Sequence, residues 1–161
     1  MLRAEGIFFR YGKRPVLEGI DLQVREGELC SILGNNGAGK STLLKCLAGI
    51  LRPCRGSVFL GGDDAAILSR MEAARRLAYV SQREIGEARL TVFDTLLMGR
   101  RPHITWSAEE QDLHVVERVI EALDLEELAL RYINELSGGE YQKVVIARAL
   151  AQEPRHDTCC G

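Results

Sequence analysis

The feature that most constrains this chain is a glycine-rich segment that follows an apolar run and precedes a stretch with helical spacing. It matches G-x-x-x-x-G-K-[ST] with the residues Gly34, Asn35, Asn36, Gly37, Ala38, Gly39, Lys40 and Ser41. Glycines let the backbone curl so that successive N–H groups point at one anion, and the following helix adds the positive end of its dipole. The segment therefore predicts a phosphate-binding turn. A glycine-rich turn that binds nothing is the alternative.

The first half of the chain has the pattern of an α/β core. Runs rich in aromatic and β-branched residues predict strands at 6–11, 17–24, 29–33, 57–60 and 77–80. The first two should pair antiparallel across a turn as a β-flap. The run at 29–33 is apolar and should be buried on both faces, as in a parallel sheet. Helices are predicted at about 40–50 and 69–76, and Cys30 and Cys46 are expected to be small buried residues.

The second half is predicted to be mainly helical, as a subdomain over about 84–152. Thr91 with Asp94, and Ser107 with Glu110, have the spacing of helix N-terminal caps. Apolar residues then repeat at helical spacing, at Leu113, Val116, Ile120 and Leu123. A last helix should begin after Ser137-Gly138-Gly139 and end near Gln152. Trp106 is expected to be a packing residue.

Composition excludes several classes of protein. The 161 residues suit one domain, and a net charge of −2 with scattered basic residues argues against a nucleic-acid partner. No apolar run reaches the roughly 18 residues of a membrane helix, and the N-terminus lacks a signal core. The five cysteines form no C-x-x-C pair, so free thiols are expected rather than zinc or disulfides. These features predict a cytoplasmic protein.

A second motif lies far downstream, at Leu136-Ser137-Gly138-Gly139-Glu140. With the segment at 34–41, it resembles the ABC ATPases over about Leu2–Pro154, as one ABC ATPase domain with a P-loop core. The resemblance implies that ATP lies between the P-loop of one subunit and the signature Ser137, Gly138, Gly139 and Glu140 of another. A capped helix start with glycines, where an anion can approach the backbone, fits that role. An ordinary capped helix is the alternative.

The same resemblance implies further site residues. Tyr11 stands where the family places an aromatic ring on adenine, although a core tyrosine is the alternative. Gln82 matches the Q-loop glutamine, which would reach Mg²⁺ or the attacking water, whereas a solvated loop residue is the alternative. Residues 34–42, ending with Thr42, would hold the phosphates. Lys40 and Gln82 would serve catalysis, and Ser41 and Gln82 would bind the metal ion.

A finer resemblance lies at Met98-Gly99-Arg100-Arg101-Pro102-His103, which is similar to a segment in the ATPases of iron–siderophore, haem and cobalamin importers. A solvated loop is the alternative for this segment. The importer resemblance implies a head-to-tail homodimer of ATP-binding subunits on the inner face of the membrane, held there by permease subunits. An inactive nucleotide-binding module and a soluble ABC ATPase of another system remain the other possibilities.

The residues after Pro154 depart from the family pattern. There the family continues with an apolar strand ending in Asp-Glu, which holds Mg²⁺ and polarises the attacking water, and a later histidine senses the γ-phosphate. This chain has Arg155-His156-Asp157-Thr158-Cys159-Cys160-Gly161 instead, a polar tail without a strand pattern. We therefore expect a chain truncated before that strand, with weak ATP binding, little turnover and exposed apolar surface.

Overall fold

A computed structural model of the chain describes residues 1–80 and 89–154, and the backbone of 157–160. Two compact units are present: Met1–Tyr79 with the C-terminal segment, and Val80–Pro154.

The first unit is built on an antiparallel sheet with the strand order β2-β1-β3-β4. The strands are β1 (Leu2–Tyr11), β2 (Arg14–Val24), β3 (Arg55–Leu60) and β4 (Asp63–Asp64). β1 is central, since Leu2 pairs with Val24 on one side and with Leu60 on the other. The predicted β-flap is therefore confirmed, and β1 begins four residues before the aromatic run that predicted it.

Three more elements lie within residues 40–80: α1 (Lys40–Leu47), α2 (Arg70–Ala74) and β5 (Leu77–Val80). Helix α1 turns Leu43, Cys46 and Leu47 inward, as its helical spacing predicts. Burial of these apolar side chains against the sheet holds the unit together. The buried core consists of Leu2, Ala4, Ile7, Phe9, Leu17, Val24, Leu43, Cys46, Leu47, Val58, Leu60 and Leu77.

The strand predicted at 29–33 is not formed, and that prediction was wrong. The segment has no regular structure, and Leu29 and Leu33 are 95% and 90% exposed. An apolar strand needs hydrogen-bonded neighbours and covering helices, and no described strand pairs with this one. Cys30 lies in the same segment and is exposed, so only Cys46 of the two is a buried thiol. The exposed apolar surface expected from the sequence is found at these leucines.

The C-terminal tail contradicts a second expectation. Asp157–Cys160 forms a strand, β6, which pairs with β5 in a two-stranded sheet. The sequence signal is weak because such pairing uses backbone N–H and C=O groups, which any extended segment carries. An open edge on β5 is sufficient to recruit it.

The second unit is helical in its described part, 89–154. It contains α3 (Val92–Gly99), α4 (Glu110–Ala122), α5 (Gly138–Ala151) and two short 3₁₀ helices, Glu126–Leu128 and Ile133–Glu135. Thr91 and Asp94 cap α3 as predicted, with the Asp94 amide donating to Thr91 Oγ1 at 3.1 Å. The buried core consists of Val92, Leu96, Val116, Ile120, Leu125, Ile133, Val144, Ala147 and Ala151.

Two details of α4 differ from the sequence prediction. The residue that caps α4 is Glu109, whose amide donates to Asp112 Oδ2 at 3.2 Å, and not Ser107. The inward place expected for Leu113 is taken by Asp112, which is 6% exposed against 36% for Leu113. Asp112 is drawn inward by an ion pair with Arg100, which hydrophobic periodicity does not reveal.

Trp106 was predicted to pack, and this was also wrong. Its side chain is 99% exposed. It lies between α3 and α4 and belongs to neither of the described apolar clusters. In the described residues, no helix has both the length and the apolar character needed to cross a bilayer.

Candidate functional site

The glycine-rich segment forms a turn that leads directly into α1. Gly39 is the N-cap residue of α1 and has φ 93°, while Gly37 has φ 82°. Other residues rarely adopt these backbone angles, so both positions favour glycine. No side chain caps this helix, in contrast to α2, α3 and α5 in the described chain. The first amides of α1 are therefore left without a side-chain acceptor and can bind an anion.

The turn is supported by strand β2, which sequence reasoning missed. A Cβ atom on Gly39 would lie 3.1 Å from the Val16 carbonyl oxygen, the Val16 Cγ1 and the Leu17 Cδ2. Gly39 therefore lies against the backbone of β2. Because the residues involved are more than twenty positions apart, only the fold shows this contact. It fixes the start of α1 although the segment before the turn forms no strand.

Lys40 lies in the first turn of α1 and folds back over the loop. Its ammonium group donates to the carbonyl oxygens of Gly34, at 2.8 Å, and of Asn35, at 2.9 Å. These neutral acceptors leave the positive charge uncompensated. An oxyanion in the turn would attract the ammonium group more strongly than a carbonyl does, because two opposite full charges at this distance attract more strongly than a charge and a dipole.

The electrostatics of α1 favour a negative ligand. The first turn contains no acidic residue, and the only charge there is Lys40. Ser41 is exposed at this helix end, where its hydroxyl is available to a ligand or metal ion. Thr42 is buried, so its amide rather than its side chain is the group that can face a phosphate.

Tyr11 is the last residue of β1 and is 53% exposed. Its ring meets the ring of Phe9 edge-on, with centroids 4.9 Å apart and an interplanar angle of 79°. The alternative of a core tyrosine is therefore excluded. The ring is exposed enough for a base to stack on it. Gln82, the other residue predicted to act near the phosphates, lies outside the described residues.

The downstream motif forms the start of α5, in the other unit. Ser137 is the N-cap, and both its amide and its hydroxyl donate to Glu140 Oε2 at 2.7 Å. The Glu140 amide points back to Ser137 Oγ at 3.4 Å. These hydrogen bonds from Ser137, helped by the charge of Arg131, hold the pKa of Glu140 below its usual range. The carboxylate is thus a built-in anion at a helix N-terminus.

The two glycines of this motif are not required by the local fold. Neither Gly138 nor Gly139 has a positive φ, and a Cβ on either would meet no atom within 4 Å. Glycine costs helix stability relative to alanine, so its presence needs another reason. A ligand that must approach the backbone closely is such a reason.

The segment after α3 is packed rather than solvated. Arg100 is 4% exposed and pairs with Asp112, with Nε 3.0 Å from Oδ1. His103 Nε2 donates to the Gln152 carbonyl at 2.8 Å, whereas Arg101 is exposed. The alternative of a solvated loop therefore holds for Arg101 only. Sequence reasoning missed Asp112 as the partner of Arg100.

Comparison with known proteins gives the family. The ABC transporter family model matches residues 17–156. An ABC transporter ATP-binding protein of Methanocaldococcus jannaschii is 50% identical over 155 residues, 96% of this chain and 61% of the relative. A hemin import ATP-binding protein of Gloeobacter violaceus is 42% identical over 94% of this chain and 55% of its own length. A cobalamin import ATP-binding protein of Halobacterium salinarum is 41% identical over 85% of this chain and 34% of its own.

Solved structures agree. A nucleotide-free ATP-binding cassette from an ABC transporter superposes with a TM-score of 0.84 at 29% identity, covering 96% of this chain and 66% of its own. A dimeric bacterial ABC transporter cassette gives a TM-score of 0.80 at 27% identity, covering 96% of this chain and 71% of its own. The chain thus spans about three-fifths of the first curated relative it matches. The P-loop turn and the capped signature helix agree with these matches. The chain belongs to the ABC transporter ATP-binding family.

Proposed function

We propose that the chain binds ATP at the turn 34–42 as the ATP-binding part of an importer. The observation that carries the proposal is the N-terminus of α1, where no side chain caps the first amides and Lys40 supplies the only charge in the first turn. Amides, dipole and ammonium all favour a phosphate at one place. Tyr11 would stack on the adenine ring, and Ser41 with Gln82 would hold Mg²⁺.

The test is a titration of the purified chain with Mg²⁺–ATP, with two matched variants. Lys40→Ala removes the ammonium at the turn and should weaken ATP binding by about tenfold or more, since a charge-assisted phosphate contact contributes about 1.5–3 kcal/mol. Lys45→Ala removes the same charge five residues later in α1, at the end that disfavours anions, and should leave the affinity within about twofold. Equal effects of the two variants would refute the site.

We infer that the signature segment of a second copy completes the site. Ser137 and Gly139 would contact the γ-phosphate bound by the other subunit, in a head-to-tail homodimer. The open space at Gly138 and Gly139 supports this inference, because the helix itself gains nothing from glycine there. Glu140 now accepts the Ser137 hydroxyl, so the incoming phosphate would have to replace it.

The partner on the membrane would be a permease, and the exposed Trp106 supports a contact surface on the second unit. Exposed tryptophan is rare on protein surfaces and common at interfaces. Trp106→Ala should weaken co-sedimentation with vesicles that carry the permease subunits of the importer. Leu130→Ala, which removes another apolar side chain that is 82% exposed on the same unit, is the control. Similar losses for both variants would argue against a specific surface.

The cargo would be haem, cobalamin or an iron–siderophore. The relatives named for hemin and cobalamin import, together with the segment 98–103, support this class. We expect these 161 residues to bind ATP with little turnover, because their sequence contains no apolar run that ends in Asp-Glu. A phosphate-release assay tests this expectation, and brisk turnover that Lys40→Ala abolishes would contradict it.

A further inference from the structure

The C-terminus of the signature helix α5 is held by side chains from the segment after α3. The last carbonyl groups of a helix have no partner within it. Here the Ala151 carbonyl accepts from Arg100 Nη1 at 2.9 Å, and the Gln152 carbonyl accepts from His103 Nε2 at 2.8 Å. The two side chains come from about fifty residues earlier in the chain. They therefore fix where α5 ends relative to α3.

Arg100 makes this contact from inside the unit. Its guanidinium group also pairs with Asp112 Oδ1 at 3.0 Å and with Glu153 Oε2 at 2.8 Å. Arg100 and Asp112 are 4% and 6% exposed, so loss of Arg100 would leave the Asp112 carboxylate uncompensated in the interior. Asp112 lies in the first turn of α4. One guanidinium group thus joins the end of α3, the start of α4 and the end of α5.

Two features beside Arg100 show that the arrangement is tight. A Cβ atom on Gly99 would collide with the Arg148 carbonyl oxygen, so the backbones of α3 and α5 are in direct contact there. Glu153, just after α5, has φ 44°, which is unfavourable for a residue other than glycine. Its carboxylate is held by Arg100 and by Arg118, at 2.8 and 3.2 Å, which compensates for the unfavourable backbone.

We propose that Arg100 is a positioning residue for the signature segment Leu136–Glu140. Helix α5 has 14 residues and is about 21 Å long, so fixing its C-terminus fixes the direction of its N-terminus. The role rests on the proposed contact of Ser137 with ATP bound by a second copy. Because Arg100 is 4% exposed and hydrogen-bonded to the Ala151 carbonyl, it would act through α5 and not by contact with nucleotide.

Hydrogen exchange on the full chain tests the structural half of the proposal. In Arg100→Met, exchange of the Glu140 and Tyr141 amides, which donate to Ser137, should rise about tenfold or more. Exchange within α1, in the other unit, should not change. Faster exchange confined to 148–153 would reduce Arg100 to a local cap and overturn the proposal. A general rise that includes α1 would also count against it.

Two further variants keep the test informative if Arg100→Met folds poorly. Arg100→Lys keeps the charge for Asp112 but lacks the planar fork that also reaches the Ala151 carbonyl, so it should restore only part of the protection at Glu140. Arg118→Met removes an arginine that contacts the same Glu153 but is 68% exposed, and it should leave the signature amides unchanged. Full restoration by lysine, or an equal effect of Arg118→Met, would overturn the specific role.

The functional half of the proposal is tested by comparing two affinities in Arg100→Met: the affinity for Mg²⁺–ATP and the affinity of the chain for a second copy. Arg100→Met should bind Mg²⁺–ATP within about twofold of the parent at low protein concentration, because the turn at 34–42 is intact. Its ATP-dependent self-association, measured by sedimentation, should fall about tenfold. If the parent chain binds no ATP, the proposed function fails while the exchange experiment still decides the role of Arg100. If self-association is unchanged although the signature amides are deprotected, the positioning role is refuted.

Discussion

Gly39 and Val16 are in contact through their backbones: a Cβ atom on Gly39 would lie 3.1 Å from the Val16 carbonyl oxygen. The glycine is needed for this approach as well as for its φ of 93°. Gly39→Ala should therefore incur backbone strain of about 1–2 kcal/mol, plus about 1–3 kcal/mol for the contact with β2. Urea denaturation measures the loss of stability, and ATP affinity should fall with it.

The matched control for Gly39→Ala is Gly62→Ala. Gly62 also has a positive φ, 101°, but a Cβ there would meet no atom within 4 Å. The control therefore reports the strain alone and should destabilise by about 1–2 kcal/mol without changing ATP affinity. If the two variants lost equal stability, the contact with Val16 would be without consequence.

Replacing a signature glycine should raise the stability of the chain and weaken its function. Gly139→Ala should stabilise the free chain, by up to about 1 kcal/mol, because alanine is the better helix former and the added methyl group meets open space. ATP-dependent self-association should fall, since the methyl group would obstruct the phosphate of the other copy. Thermal unfolding and sedimentation with ATP give the two values. Gln142→Ala, at an exposed position one turn further on, should leave self-association unchanged.

Local patterns predicted local structure well. The turn at 34–41, the Thr91 cap and the start of α5 at Ser137 all depend on neighbouring residues, and the structure has each of them. The local cap spacing of Ser107 with Glu110 was wrong, but the larger failures occurred where distant partners decide the outcome. Leu29 and Leu33 have the composition of a buried strand but no described strand beside them, so they are exposed.

The same distinction applies to the candidate site. Judged by its neighbours in sequence, Arg100 was compatible with a solvated loop. Its hydrogen-bond partners lie 12 to 53 residues away, and they bury it. The support of Gly39 by β2 was likewise invisible in the sequence. Motif residues could be proposed from the sequence because their chemistry requires a fixed spacing. The residues that hold those motifs in place could not, since only the fold brings them together.

Because α3 and α5 are in backbone contact at Gly99, one added methyl group there should lower the stability of the second unit. Gly99→Ala should place a Cβ against the Arg148 carbonyl oxygen and push the two helices apart, at a cost of about 1–3 kcal/mol. Denaturant unfolding followed by a probe in the second unit measures this. Met98→Ala, at the neighbouring position, which is 53% exposed, should change stability by no more than about 0.5 kcal/mol. A tolerated alanine at position 99 would show that the helices can separate freely.

The Glu140 carboxylate should make stability depend on pH in the acid range. Its pKa is lowered by Ser137 in the folded chain, so the folded state binds a proton less readily than the unfolded state. The stabilisation is present above the ordinary glutamate pKa and is lost as the pH falls through the lowered value. Ser137→Ala should raise the Glu140 pKa toward its usual range, as measured by ¹³C NMR of the carboxyl carbon.

A second helix N-terminal cap with the same arrangement of serine and glutamate provides the control for that titration. Glu72 has its pKa lowered in the same way by Ser69, at the start of α2 in the other unit. Ser69→Ala should move the Glu72 signal and leave Glu140 in place, and Ser137→Ala should do the reverse. A Glu140 pKa that stays low without the Ser137 hydroxyl would assign the effect to the backbone amide or to Arg131.

The cysteines should differ in reactivity because their surroundings differ. Burial raises the pKa of Cys46 to about 11, with a smaller contribution from Cys54, so its thiolate is scarce at neutral pH. Cys30 and Cys54 are exposed and should be alkylated first by iodoacetamide at pH 7.5, as followed by peptide mass spectrometry. In urea Cys46 should react at a similar rate to the other two, because unfolding removes its protection. Rapid modification of Cys46 in the native chain would show that α1 opens readily, and it would also weaken the case for a rigid phosphate turn at the start of this helix.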